Sequence, residues 1–283
     1  MKISVFTVIT PEFTPEEVVK RLAHLRYEGV EWRVVTVLKE NEQETSFWKG
    51  NKCTLSLETL EEKADYIKGI TEAVGLEICN LATYLKPNEF GKIEKAMQAA
   101  KIMECPQIRI NAPSYEPGNS YNSLFQETRK NLEKVEKIAS KYGIKALLEL
   151  HMGNIIPSAS AAHRLISSFD PGYIGLIYDP GNMIQEGYEN WHMGMELLGE
   201  YLAHVHVKNS KWVIEKKNEK GVFFWRPTWA RLKEGIVDWE EVMNGLKAVG
   251  YKGYLSLEDF SDIPIEKKLN EDIEYLKSLK CGR

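Results

Sequence analysis

The sequence has few cysteines and no C-x-x-C pair: Cys53, Cys79, Cys105 and Cys281 stand far apart. Such spacing reads as reduced, mostly buried thiols in a cytoplasmic protein. No apolar run approaches the roughly 20 residues that a spanning helix needs. The one early apolar run, Ile3 to Ile9, is short, has a single lysine before it and ends at Pro11. It is expected to be a first β-strand and not a signal peptide. A basic surplus is missing too, since 37 Lys+Arg stand against 41 Asp+Glu with the signs mixed, for a net charge of −4. A duplex-binding protein carries a basic stripe. Neither nucleic acid nor a membrane is therefore expected as a partner.

A glycine-rich phosphate turn is also lacking. Thr10-Pro11-Glu12-Phe13 follows the first apolar run, where a doubly wound nucleotide-binding sheet would place its glycines. No Pro/Gly/Ser-rich linker, internal repeat or low-complexity tract divides the 283 residues, so one domain over residues 1–283 is expected. With 43% hydrophobic and 28% charged residues, the chain can fill a large core and is not disordered.

What is there is alternation. Strands are expected at Lys2–Ile9, Val30–Val35, Leu76–Leu81, Gln107–Asn111, Ile144–Leu150, Ile174–Asp179, Leu202–Lys208 and Gly253–Glu258. Between them lie amphipathic runs. Thr14, Pro15 and Glu17 open the first as a capping box with proline at the first helical position. Val18, Leu22 and Leu25 follow at helical steps, as do Leu60, Ala64, Ile67 and Val74, then Leu132, Val135 and Tyr142. Eight strands, each followed by a helix, give the α/β class and the count of a (β/α)8 TIM barrel. Two connections are long. Thr36 to Thr54 holds Phe47 and Trp48; Asn209 to Val237 holds Trp212, Phe223, Phe224, Trp225 and Trp229 beside Lys216, Lys217 and Lys220. Long ordered loops on a barrel serve as lids or as partner surfaces. Both readings stay open for the aromatic one, and with them a homo-oligomer.

The last four strands share a feature that packing does not require: each ends in an acid or a histidine. Side chains alternate across a strand. Leu148 and Leu150 packing outward would turn Glu149 and His151 to the barrel axis, and Val205 and Val207 would do the same for His204, His206 and Lys208. Leu257 outward leaves Glu258 inward. Barrel active sites lie at strand C-termini, where these residues fall. Any one of them alone is more often a loop acid, and Asp179-Pro180-Gly181-Asn182 also reads as a turn. His204 is expected to be a hydrogen-bonded core histidine. Two glutamates, an aspartate and a histidine together suit a hard or borderline divalent ion such as Mn²⁺, Mg²⁺ or Co²⁺, with Zn²⁺ also admitted.

In Leu148-Glu149-Leu150-His151, Asp179-Pro180-Gly181-Asn182, His204-Val205-His206-Val207-Lys208-Asn209, Glu234-Gly235-Ile236-Val237-Asp238-Trp239 and Leu257-Glu258-Asp259-Phe260, the chain resembles the xylose isomerase-like barrels. That family includes sugar phosphate isomerases and epimerases, ketose 3-epimerases and inosose dehydratases. The resemblance implies one divalent metal held by Glu149, Asp179, His206 and Glu258, with Glu149 and Glu258 as the acid/base catalysts. It implies that the Gly-Ile-Val-Asp-Trp run is a structural lead-in to a helix. The chain departs from the ketose 3-epimerase pattern in carrying Asn182 where those enzymes have histidine and Trp212 where they have arginine. His151 and Lys208 are instead seen in branches that include dehydroshikimate dehydratase-like members.

A metal that chelates a carbonyl and its neighbouring hydroxyl acidifies the adjacent C–H, and a carboxylate can take that proton. The expected activity is metal-dependent isomerisation or epimerisation of a sugar or sugar phosphate through an enediolate. The alternative is dehydration of an inosose or of dehydroshikimate, with His151 and Lys208 assisting. Candidate substrate-binding residues are His151, Lys208, Asn182, Arg33, Arg109 and Trp48, with Trp48 and Trp225 as stacking rings. Arg226 is expected to pair with loop acids. Apurinic endonucleases resemble the same superfamily, but their extra metal ligands would fall where Thr7, Arg33 and Asn80 stand. A barrel that binds sugars without turnover is the remaining reading.

Overall fold

A computed structural model describes residues 1–36 and 44–281. In chain order the strands are β1 (Lys2–Phe6), β2 (Gly29–Val35), β3 (Leu55–Ser56), β4 (Glu77–Ala82), β5 (Gln107–Arg109), β6 (Lys145–Glu149), β7 (Ile174–Tyr178), β8 (Leu202–Val207), β9 (Asn209–Lys217), β10 (Phe223–Ala230) and β11 (Tyr254–Leu257). The helices are α1 (Pro15–His24), α2 (Ala64–Glu72), α3 (Phe90–Ile102), α4 (Tyr121–Tyr142), α5 (Ala159–Ile166), α6 (Pro180–Gln185), α7 (Trp191–Leu198), α8 (Trp239–Ala248) and α9 (Ile265–Cys281).

Strands β1, β2, β4, β5, β6, β7, β8 and β11 pair in parallel, and β11 returns to β1 to close the ring. All eight expected strands are present, and the fold is a (β/α)8 barrel. The first ends at Phe6 instead of Ile9, because Thr7–Ile9 turns into a 3-10 helix. Asn51 Nδ2 donates to the carbonyls of Thr7 and Val8, and Thr10 Oγ1 donates to Thr7 O. Those carbonyls are thereby taken out of the ladder.

Local signals act as expected. Thr14 Oγ1 accepts from the Glu17 amide while Glu17 accepts from the Thr14 amide, which fixes the start of α1. Strand residues Val5, Leu148, Leu150, Leu176, Tyr178, Val205, Val207, Leu255 and Leu257 pack outward into the core between ring and helices. Their partners in alternation point inward, and there the filling is unusually polar: Ser4, Glu31, Asn80, Gln107, His204, His206 and Ser256 are all buried.

The connection Asn209 to Val237 is not a loop for most of its length. β9 and β10 form an antiparallel ribbon with their own two-stranded sheet. The turn is built by Asn218, whose Oδ1 accepts from the amides of Lys220 and Val222, and by Gly221 at φ 82°. Of the connection Thr36 to Thr54, residues 37–43 lie outside the described residues; Phe47 and Trp48 pack on Phe260 at 5.2 and 5.4 Å. Cys53, Cys79 and Cys105 are buried free thiols. Among the described residues no helix is long and apolar enough to cross a membrane.

Candidate metal centre

Glu149 ends β6, Asp179 follows β7, His206 lies near the end of β8, and Glu258 follows β11. Parallel strands put these positions at one end of the ring. One ligand atom from each lies within 4.8 Å of the others, and all four residues are buried. Bonds of about 2.1 Å to a single ion set opposite ligands about 4.2 Å apart, so the cluster has the right span. His206 Nδ1 faces Glu149 Oε1 at 3.1 Å, Glu258 Oε2 at 3.4 Å and Asp179 Oδ2 at 3.6 Å.

Charge argues the same way. Glu31, Glu149, Asp179 and Glu258 are four buried acids, set against the permanent cations Lys208 and Arg109. Lys208 Nζ pairs with Glu258 and lies 2.8 Å from Asp179 Oδ2 and 3.7 Å from Glu149 Oε1. Asp179 Oδ2 nevertheless receives no aligned hydrogen bond. The ammonium of Lys208 is the cation that meets it. The buried donor set of three carboxylates and one imidazole fits a divalent ion.

Each group's basicity follows from its neighbours. Burial opposes the charge on Glu149, but His206 and Arg109 outweigh it and hold the carboxyl well below the usual range. Burial is likewise outweighed at Glu258, by Lys208 and His206, and its pKa falls. At Asp179 burial wins and the pKa rises. Burial would discharge His206, yet Glu31, Glu258 and Glu149 raise it well above its ordinary value. A bound divalent ion replaces the Nδ1 proton.

Glu31, inside the expected strand Val30–Val35, was not among the expected site residues. Wholly buried, it accepts from His204 Nε2 at 2.9 Å, His206 Nε2 at 3.1 Å and Asn80 Nδ2 at 2.9 Å. His204 is the core histidine expected, with Gln107 Nε2 3.4 Å from its Nδ1. Phe6 stacks on His206 at 5.6 Å between ring centres.

Above the four residues lies a cavity of about 280 Å³. Glu149, Glu258, Lys208, Asn182, Arg109, His151 and Trp48 line it, so the structure brings together most of the expected site. Arg109 Nη1 donates to Glu149 Oε2 at 2.9 Å and its Nε to Thr83 O. Asn182 Nδ2 donates to Glu149 Oε1 at 3.1 Å and to Leu150 O at 3.0 Å. His151 Nδ1 is 2.6 Å from Met152 O. A carbonyl only accepts, so Nδ1 carries a hydrogen, and in the neutral ring the lone pair then lies on Nε2.

Two expectations move. Arg33 does not line the cavity; it donates to Thr54 Oγ1 at 2.7 Å and to Tyr84 OH, behind the rings of Trp48 and Tyr84. Trp225 stands out on the ribbon, 54% exposed and away from the cavity. Trp229, Tyr84 and Phe260 supply the aromatic wall instead. Phe260 was readable, since it alternates with Glu258; Trp229 reaches the wall only through the ribbon.

The Gly235 to Trp239 run is structural. Asn209 Nδ2 donates to Leu232 O and Val237 O while its Oδ1 accepts from the Val237 amide. A Cβ on Gly235 would sit 2.0 Å from Asn209 Oδ1, and Asp238 caps α8.

A family model described as the xylose isomerase-like TIM barrel matches residues 19–279. The inosose dehydratase of Geobacillus thermodenitrificans is 26% identical over 158 residues, 53% of either chain. The chain thus spans about half the length of the curated relatives it matches. Among solved structures, the 3-keto-D-glucoside 4-epimerase of E. coli has a TM-score of 0.72 at 15% identity, over 98% of this chain and 99% of that one. The IOLI protein, solved with a zinc atom, has a TM-score of 0.72 at 14% identity, over 99% of this chain and 96% of that one. Such low identities carry the fold alone. The family match, running from β2 through β11 and so over all four strands of the buried cluster, places this chain in the xylose isomerase-like TIM barrel family.

Proposed function

We propose that this protein is a divalent-metal-dependent dehydratase of a small polyhydroxy ketone, with Glu149, Asp179, His206 and Glu258 holding the ion. The observation that carries this reading is His151. Its Nδ1 is fixed on Met152 O, and it lines the cavity beside Glu149. Both glutamates, by contrast, are already paired with cations, Glu149 with Arg109 and Glu258 with Lys208. A carboxylate so paired is a weak base, whereas an imidazole suits proton transfer near neutral pH. The inosose dehydratase relative supports the same choice.

When bound, the ion supplies the Lewis acidity that loosens a C–H beside a carbonyl. His151 Nε2 takes that proton. The protonated His151 then gives that proton to the β-hydroxyl, which leaves as water, while Lys208, kept as an ammonium by its three acids against the effect of burial, donates a hydrogen bond to the same hydroxyl. Arg109 and Asn182 hold Glu149 in place. Trp48, Tyr84, Trp229 and Phe260 wall the reacting carbon from solvent.

Isomerisation or epimerisation is the second reading. It is supported by the two glutamates sharing one cluster, since inversion needs an acid and a base at the same carbon.

The test follows metal-reloaded protein by NMR in heavy water with inososes, dehydroshikimate, ketoses, ketose phosphates and a keto-disaccharide. Metal-dependent loss of water, reduced about 10²–10⁴-fold in His151→Asn, is the expected result. Deuterium at the α-carbon of an epimer or isomer, abolished in Glu149→Gln and Glu258→Gln, selects the second reading. Absence of any reaction across the panel rejects both.

A further inference from the structure

The cavity over the buried cluster does not end at Tyr84. A second one, of about 350 Å³, opens on the far side of Tyr84, Asn111, Ala112 and Ser114, which line both. Its walls are the segments that follow β4 and β5 and the first turns of α4, at the same end of the barrel as the buried cluster. The partition is fixed: the Asn111 amide donates to Leu85 O, and Ser114 bridges Asn154. The first cavity alone falls at the lower edge of the roughly 300–1,000 Å³ usual for ligand sites, and the second is larger than it.

The chemistry of the second cavity is distinctive. Asn88, Asn111, Asn119 and Asn131 line it. Their side-chain amides make no hydrogen bond within the chain, although those of Asn51, Asn80, Asn182 and Asn209 are all engaged. Among the described residues only Asn122 and Asn244 are likewise without such a bond, so four of these six amides line one groove, Asn88 and Asn119 exposed and Asn111 and Asn131 half-buried. Each amide offers two donors and an acceptor, the complement of neighbouring hydroxyls on a sugar ring. Pro87, Pro113 and Leu124 add apolar floor. Lys86 is the sole cation in the wall, which also holds Glu116 and Glu127, a balance that disfavours a phosphate.

We infer that the second cavity binds a second, uncharged hydroxylated ring joined to the ketone-bearing one, so that the substrate class is a keto-glycoside and not a free or phosphorylated monocyclic ketone. This rests on the proposed function for the first cavity.

The test is calorimetric titration of the metal-loaded protein with a keto-disaccharide, the matching keto-monosaccharide and its phosphate, with α-proton exchange followed in parallel. Expected is at least tenfold tighter binding of the disaccharide than of the monosaccharide, a gap that closes in Asn88→Ala/Asn131→Ala. Equal affinities, a gap that survives the double variant, tightest binding of the phosphate, or no binding of any of the three overturns the inference. A binding gap without proton exchange leaves the inference standing and rejects the proposed chemistry. Exchange without a gap does the reverse.

Discussion

His206 donates through Nε2 to Glu31 Oε1 across 3.1 Å, and both side chains are wholly buried. Burial opposes the charge on Glu31, but His206 and His204 hold its pKa well below the usual range. An ionised Glu31 fixes hydrogen on Nε2 and aims Nδ1 at Glu149, Asp179 and Glu258. Carboxylates in this role raise the basicity of a ligating imidazole and set its tautomer.

Glu31→Gln is accordingly expected to weaken Mn²⁺ binding about 10–100-fold while the barrel stays folded. Calorimetry on chelator-stripped protein reads it directly. An unchanged Kd would mean that His206 needs no such support.

Asp179→Asn and Glu258→Gln should each abolish stoichiometric metal and reduce turnover at least ~10³-fold, because each removes an anionic donor from a set of four. Elemental analysis after gel filtration gives the metal content. One retained ion per chain in either variant would take that residue out of the ligand set.

Gly181 begins α6 against Lys208: a Cβ there would sit 2.6 Å from Lys208 Cγ and 2.9 Å from its carbonyl oxygen. Backbone cannot yield as a flexible tip does, so Gly181→Ala is expected to cost roughly 1–3 kcal/mol and to displace Lys208. Urea unfolding measures the first, and a midpoint equal to wild type would refute it.

Asp272, buried beside Asp259, is pushed up from 3.8 to about 8, first by burial and then by that neighbour. The folded chain keeps this proton up to about pH 8, whereas the unfolded chain releases it near 4. Between those values the folded state binds more protons, so this group's contribution falls as pH rises. Asp272→Asn does not titrate. Its Tm relative to wild type should therefore climb by roughly 4–8 °C between pH 5 and pH 8; a constant difference across that range would show that Asp272 is ionised in the fold.

Much of the site could be read in the chain because a strand's alternation is a local property. Val205 and Val207 outward place His206 and Lys208 inward, and the same rule gives Glu149 and Glu258. Glu31 obeyed it too, between Val30 and Trp32, but lacked a partner in sequence to reveal its purpose. His204 and His206 lie 173 and 175 residues away from it.

The sequence by itself determined the eight-strand count, the helix start at Thr14, and the four residues that meet at one end of the ring. Periodicity and capping act over a few residues, and parallel closure then brings strand ends together. Tertiary structure alone decided that Arg33 sits behind Trp48 and Tyr84 while Arg109 reaches Glu149. It also decided that Trp229 and not Trp225 walls the cavity, and that the segments after β4 and β5 enclose an amide-lined groove. Long side chains on connections take their direction from whatever surface they meet, and that surface exists only once the barrel has closed.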